Sequence, residues 1–273
     1  MSILIGLDIG GSTTKIVGFE GQHLLEPLWV KANDQVASAY GAFGKFIDKH
    51  HIKLKDIRKI MATGVGLSFL EGNMFGIETV PAPEFDCVGA GGLYLSGYEK
   101  AIVVSMGTGT SIVAAEKGKT QHVIGSGVGG GTLLGLMGKL INVHDFETIE
   151  ELSNAGDLSK VDLTVGDITT LEIPGLKPDT TASNFGKVND LAEDKDLALG
   201  VVNMVFQSVG TASVLSARLM GLRDIVVTGN MTRMPAGRKV LQGFADLYKL
   251  NFIVPEKAEF ATAVGAALLE LHQ

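Results

Sequence analysis

Residues 3–19, ILIGLDIGGSTTKIVGF, decide how the rest of the chain is read. An apolar run from Ile3 to Leu7 ends on an acid, Asp8. Gly10, Gly11, Ser12, Thr13, Thr14 and Lys15 follow, and a second apolar run opens at Ile16. Two short β-type runs joined by small residues predict a hairpin. A turn of glycine and hydroxyl residues lets backbone N–H groups approach an anion with no side chain in the way. Ser and Thr add donors, Lys15 adds charge, and Asp8 at the strand end is suited to a hydrated Mg²⁺. The plainer reading is a tight hairpin with no ligand, which a lone Gly-Gly turn would favour. Asp8, the hydroxyl residues and Lys15 together favour a phosphate site.

Working outward, the pattern returns. Ala101–Ser105 is apolar, Met106-Gly107-Thr108-Gly109-Thr110-Ser111 is a second glycine and hydroxyl turn, and Ile112–Ala115 is apolar again. A shift of 97 residues places Asp8 on Ser105, Gly10 on Gly107 and Thr13 on Thr110. Such a repeat predicts two related halves, each presenting a phosphate-cradling hairpin to a shared cleft. A third glycine-rich turn, Gly125–Thr132, runs into the apolar-periodic LLGLMGKLI. A helix N-terminus reached through glycines is an anion site, or else a flexible loop or close backbone crossing.

Between these turns, Leu24–Val30 predicts a third strand. Asp34 predicts the N-cap of a helix to about Lys49, and Lys59–Ala62 a strand entering the turn Thr63-Gly64-Val65-Gly66. Ile77–Pro83 is extended, and a helix opens at Glu84 in EFDCVGAGGLYL. Glu84 and Asp86 either complement the helix dipole or supply a general base. Gln121–Ile124 predicts a strand, Thr148–Ala155 a short helix, and Val161–Ser183 an irregular excursion. Leu197–Met220 predicts a long central helix. Asp224–Thr228 is a strand ending at Thr228-Gly229-Asn230, the kind of strand terminus at which α/β sheets bind ligands. A helix over Ala236–Tyr248, a strand over Asn251–Val254 and a last helix over Glu259–Leu271 complete the chain. In that last helix Ala261, Thr262, Gly265 and Ala266 are small enough to pack beside a nucleotide or another helix.

At 273 residues the chain suffices for one large domain or two ordinary ones. Apolar residues make up 45% and charged residues 19%, enough for a real core and too little charge for a disordered chain. The net charge of −7 argues against nucleic-acid binding. The single cysteine, Cys87, excludes an internal disulfide and points to a reducing, cytoplasmic setting; it reads as a small buried side chain. No basic n-region opens the chain, so no signal peptide is expected. Leu197–Ala217 carries no charge and is long enough to span a bilayer, but Asn203, Gln207, Ser208, Thr211, Ser213 and Ser216 suit a buried soluble helix better.

Two hairpin-led halves around an ATP cleft resemble the actin, sugar kinase and Hsp70 superfamily, with its α/β, actin-like ATPase (ribonuclease H-like) fold. Within it the chain resembles type II pantothenate kinases. DIGGSTTK is similar to that family's D-x-GGT-x-x-K loop, with Ser12 in place of the usual Thr. EFDCVGAGG at 84–92, MGTGTS at 106–111, GVGGGTLLGL at 127–136 and TASNFGKV at 181–188 follow in the family's order. The resemblance covers essentially the whole chain and implies lobes at 1–95 and 96–273. It also implies Asp8 on Mg²⁺, and Gly10, Gly11, Ser12, Thr13, Thr14 and Lys15 on ATP phosphates. Thr108, Gly109, Gly130, Gly131, Thr132, Leu133 and Leu134 would contact the nucleotide, with Phe146 and Asn230 at adenine and ribose. Glu84 would be the general base on the primary hydroxyl of pantothenate, and Thr110 and Ser111 would lie at the substrate. A homodimer through the Leu197 helix is implied too, with neither nucleic acid nor membrane as partner. One position departs: His122 stands where relatives carry a pantothenate-binding Arg, and imidazole lacks that permanent bidentate charge. Pantothenate is the first expectation. Another small alcohol or an amide of pantothenate is the second, and a nucleotide-binding regulatory protein without turnover the third.

Overall fold

The computed structural model describes residues 2–32, 34–70 and 72–271. Two sheets of matching topology organise it. The opening residues form β1 (Ile3–Ile9) and β2 (Thr13–Glu20), paired antiparallel with Asp8 opposite Lys15. The expected third strand is two short ones, β3 (His23–Leu24) and β4 (Leu28–Lys31), both on β2. Pro27 lies in the break, and a proline has no N–H to give a ladder. Helix α1 (Gln35–Lys49) begins where Asp34 accepts a 2.7 Å hydrogen bond from the Ala37 amide. Strands β5 (Ile57–Thr63) and β6 (Thr79–Pro81) lie parallel to β1, giving the order β3-β2-β1-β5-β6.

Helix α2 (Glu84–Ser96) leads to the second sheet. There β7 (Lys100–Met106), β8 (Thr110–Glu116) and β9 (Lys119–Ser126) form an antiparallel meander. Helices α3 (Gly130–Ile141) and α4 (Phe146–Ala155) follow. The excursion expected at 161–183 is ordered around β10 (Leu163–Thr164), α5 (Val165–Ile168) and β11 (Thr181–Ser183). Wholly buried Asp162 pins it, accepting from the Thr181 hydroxyl (3.1 Å), the Phe185 amide (2.9 Å) and Asn203 Nδ2 (2.7 Å). Three donors satisfy a buried carboxylate that has no ion-pair partner among the described residues.

Asn203 belongs to α6 (Asp194–Leu219), the long central helix. It is apolar and long enough to cross a membrane, yet most of its apolar stretch is buried, with Val201, Val205 and Phe206 in the core of the second sheet. Strand β12 (Asp224–Thr228), helix α7 (Pro235–Tyr248), strand β13 (Asn251–Ile253) and helix α8 (Ala261–Leu271) end the chain. The second sheet runs β13-β12-β7-β8-β9, the order and strand directions of the first.

The repeat therefore extends past the hairpins. Asp8 pairs with Thr63 of β5 as Ser105 pairs with Thr228 of β12, and each threonine is followed by a glycine at positive φ (Gly64 at 94°, Gly229 at 92°) and a 3₁₀ turn. One detail of the expected alignment is corrected. Ile9 pairs with Thr14, and Met106 with Thr110, so Thr14 rather than Thr13 corresponds to Thr110. The first turn is one residue longer.

Each sheet is covered on both faces, and the halves exchange a layer. α1 packs on the first sheet through Phe43 and Phe46, wholly buried rings that contribute about 1.5–3 kcal/mol each. Its other face takes α8, whose Ala263, Val264 and Ala267 meet Leu4, Val17 and Met61. The second sheet has α6 on one face and α2 on the other, with Val88 and Leu93 against Val103 and Val113. α2 and α8 cross each other in the middle with glycine at the closest approach. A Cβ on Gly91 would strike the carbonyl of Ala261, and one on Gly265 the carbonyl of Cys87. The two halves of this contact are reciprocal, each glycine lying four residues beyond the carbonyl that faces the other.

Candidate active site

A cleft of about 500 Å³ opens between the two hairpin turns, within the usual ~300–1,000 Å³ of small-molecule sites. From the first turn Asp8, Gly10, Gly11, Ser12, Thr13 and Lys15 line it; from the second, Thr108, Gly109, Thr110 and Ser111. The turns face each other closely, since a Cβ on Gly11 would lie 3.5 Å from Thr108 Oγ1. Asp8 and Lys15 are both buried at the strand ends, with Lys15 Nζ 3.4 Å from Asp8 Oδ2. Gly64 passes directly beside Asp8: a Cβ there would lie 2.8 Å from Asp8 Oδ1, and its φ of 94° independently calls for glycine.

Four expected residues point elsewhere. Thr14 alternates to the opposite face of β2 from Thr13, and its hydroxyl pairs with Ser38 of α1 at 2.9 Å. Leu133 is wholly buried in the core of the second sheet. Gly131 and Thr132 do not line the cleft either. The amides of Gly130 and Gly131 donate to the carbonyls of Gly107 (2.8 Å) and Thr108 (2.9 Å), and the Thr132 hydroxyl donates to the Gly127 carbonyl (2.9 Å). Thr110 Oγ1 adds a 2.8 Å bond to the Val128 carbonyl. The third glycine turn is thus a brace that shapes the second, since its first amides are already used. Gly130 and Leu134 do line the cleft, as do Phe146 and Asn230.

At the other end stands Glu84, the first residue of α2. Loss of water in the concave wall, and then the Asp8 charge, hold its carboxyl above the ordinary glutamate pKa. Cys87, one turn on, is buried with its thiol pushed up to about 12 by burial, so it serves packing and not nucleophilic attack. Facing Glu84's end is His122 of β9, its ring stacked on Phe85 at 4.2 Å between centroids and 19° between planes.

Sequence reasoning missed Phe85, because its role depends on a strand 37 residues away. It also missed Glu259 and Met231 in the lining. Thr262 lines the cleft and Gly265 meets another helix, the two alternatives raised for the last helix.

Two hairpin-led sheets of one topology, closing glycine turns over a cleft, define an actin-like ATPase fold. The activator of the 2-hydroxyisocaproyl-CoA dehydratase from Clostridium difficile, solved with bound ADPNP, has this fold: TM-score 0.72 at 18% identity, covering 99% of this chain and 94% of that one. The chain itself belongs to the Fumble family, whose model matches residues 98–240. The type II pantothenate kinase of Bacillus cereus (strain G9842) is 30% identical over 246 residues, 84% of either chain. That of Staphylococcus aureus (strain USA300) is 29% identical over 281 residues, 97% of this chain and 99% of its own.

Proposed function

We propose that this protein is an ATP-dependent kinase that phosphorylates the primary hydroxyl of pantothenate to 4′-phosphopantothenate, the first step of coenzyme A biosynthesis. The observation that carries the reading is one cleft holding two opposed glycine turns at one end and a carboxylate of raised pKa, Glu84, at the other. The names of the relatives supply the substrate.

The residues present suit Mg-ATP. Glycine-rich turns leave backbone groups open to phosphates, and the cleft has the volume for a nucleotide. Lys15 takes one Asp8 oxygen, which leaves Oδ1 for a cation. No cluster of three or more His, Cys, Asp or Glu suited to a metal exists among the described residues, which fits Mg²⁺, a cation held by one or two carboxylates plus phosphates. Bound Mg-ATP supplies the phosphoryl group. Asp8 holds the cation, the first two turns and Lys15 position the phosphates, and Phe146 and Asn230 flank the nucleoside. Glu84 accepts the proton as the substrate oxygen bonds to phosphorus and the bond to ADP breaks. Phosphoryl transfer needs this positioning and charge neutralisation, and no covalent intermediate. The reading includes lobes of residues 1–95 and 96–273 that exchange α2 and α8. It also includes a homodimer through α6 and work in the cytoplasm without nucleic acid or membrane.

The test is ADP release by the purified protein with ATP, with and without pantothenate and Mg²⁺. Release requires both; bound ATP with no pantothenate-dependent release sinks the reading. The pH profile checks the base. A base acts as carboxylate, so turnover falls as pH drops through the Glu84 pKa. With that pKa raised by desolvation and Asp8, the acid limb lies above the ordinary glutamate value. A limb at or below that value, or one retained in Glu84→Gln, assigns the titration to another group.

A further inference from the structure

We infer that Thr63 is a positioning residue: its buried hydroxyl is the donor that orients the Asp8 carboxylate when Asp8 holds the cation of Mg-ATP. The role rests on the Mg-ATP reading above and deepens it.

The hydroxyl is an orphan. Thr63 is 1% exposed, and its Oγ1 is the one buried side-chain nitrogen or oxygen without a hydrogen-bond partner among the described residues. Such a group has left water and gained nothing in return, which costs stability. The repeat supplies an internal control. Thr228 is the counterpart of Thr63 in the second sheet, and its hydroxyl donates to the Val104 carbonyl at 3.2 Å. Thr63 makes no such bond. The Cys87 sulfur that it faces is a weak acceptor and stays outside hydrogen-bond geometry.

Placement names the acceptor. Leu4 and Met61 face α8, and by alternation Asp8 and Thr63 stand on the same side of the sheet. The two are register partners on β1 and β5, and a Cβ on Gly64, the next residue, would lie 2.8 Å from Asp8 Oδ1. Asp8 is short of donors. Among the described residues its side chain accepts one hydrogen bond, from Lys15 Nζ to Oδ2 at a long 3.4 Å, although a carboxylate can accept about four. In the second sheet Ser105 stands where Asp8 stands in the first. There no carboxylate needs orienting, and the threonine beside it is already bonded. A turn about the Thr63 Cα–Cβ bond, from one staggered rotamer to another, carries the hydroxyl from Cys87 toward Asp8. Thr63 does not line the cleft, so it acts through Asp8 and touches neither nucleotide nor substrate.

Calorimetric titration with ATP, with and without Mg²⁺ and without pantothenate, tests this beside thermal melts. Thr63→Val keeps the shape and loses the hydroxyl. It should bind Mg-ATP about ten-fold more weakly, the lower end for loss of a group that orients a metal ligand, and bind Mg²⁺-free ATP as before. Without ligand it should melt no lower than the parent, since it loses an orphan and not a bond. Thr63→Ser, which keeps the hydroxyl, should restore the affinity. In an Asp8→Asn background, Thr63→Val should change Mg-ATP binding by less than about two-fold, because the partner is gone. Unchanged Mg-ATP affinity in Thr63→Val, or an equal loss with and without Mg²⁺, overturns the inference and leaves the kinase standing. So does a Thr63→Ser variant as weak as Thr63→Val. A lower melting temperature of ligand-free Thr63→Val assigns the hydroxyl to the fold instead. A parent protein whose ATP affinity ignores Mg²⁺ removes the cation role of Asp8 and this inference together.

Discussion

Glu84→Gln yields a protein that folds and binds ATP but turns over about 10²–10⁴ times more slowly, the usual contribution of a positioned general base. Gln keeps the shape of the side chain and loses the ability to take a proton. The substitution is clean because the Glu84 side chain makes no hydrogen bond or ion pair within the described residues and stands at the first position of α2. The electrostatics give a second, independent expectation. Because burial, then Asp8, raise the folded-state pKa, Glu84 supports the fold fully only below its unfolded pKa, and that support is lost as pH rises through the folded value. At neutral pH the Gln variant should therefore melt no lower than the parent. Single-turnover ADP formation, nucleotide titration and a thermal melt read all three properties. Turnover within a few-fold of the parent removes Glu84 as the base; a large drop in Tm removes the claim that the substitution is local.

Gly91→Ala and Gly265→Ala should each cost about 3 kcal/mol or more, at the upper end for overpacking. The added methyl meets the carbonyl of Ala261 or Cys87, and backbone cannot rotate aside as a side chain does. Gly265 N lies 3.0 Å from a Cβ on Gly91, and Gly91 N 2.8 Å from one on Gly265. Relief requires the two helices to part, and their other faces are committed to Val103, Val113, Leu4 and Met61. For a chain of this size the loss corresponds to a Tm about 6–12 °C lower. Gly41→Ala is the control. Gly41 is exposed in α1 with nothing within 4 Å of a Cβ, so it should gain up to about 1 kcal/mol from helix propensity and a less flexible unfolded chain. Melts in which all three variants move alike would mean that the crossing is not tight.

Much of this architecture was legible because it is local and repeated. A strand, a glycine turn and a strand are written in consecutive residues, and their recurrence near residue 105 announces two halves before any contact is known. Pro27 carried a local signal that the expected strand Leu24–Val30 overran, since a residue without an N–H cannot sit inside a paired strand. The errors cluster where local pattern stops. Thr14 could have been separated from Thr13 by alternation alone, once the strand was taken to begin at Thr13. The glycine turn at 129–131 could not have been. Its amides look free in sequence and are spent on carbonyls of a turn 23 residues earlier. Phe85 against His122, and Glu259 in the cleft, arise from elements that only the completed fold brings together.

The reciprocal glycine crossing has a mechanical consequence. Gly91 lies seven residues along α2 from Glu84, an arm of about 10 Å at the helical rise. A tilt of α2 by about 5° on that fulcrum swings the carboxylate by about 1 Å, a misplacement on the order of a 10²-fold loss in rate. If Glu84 is the proposed proton acceptor, α8 aims it, and a substitution such as one at Ala261 or Gly265, which changes no group in the chemistry, should act on kcat through the angle of a lever.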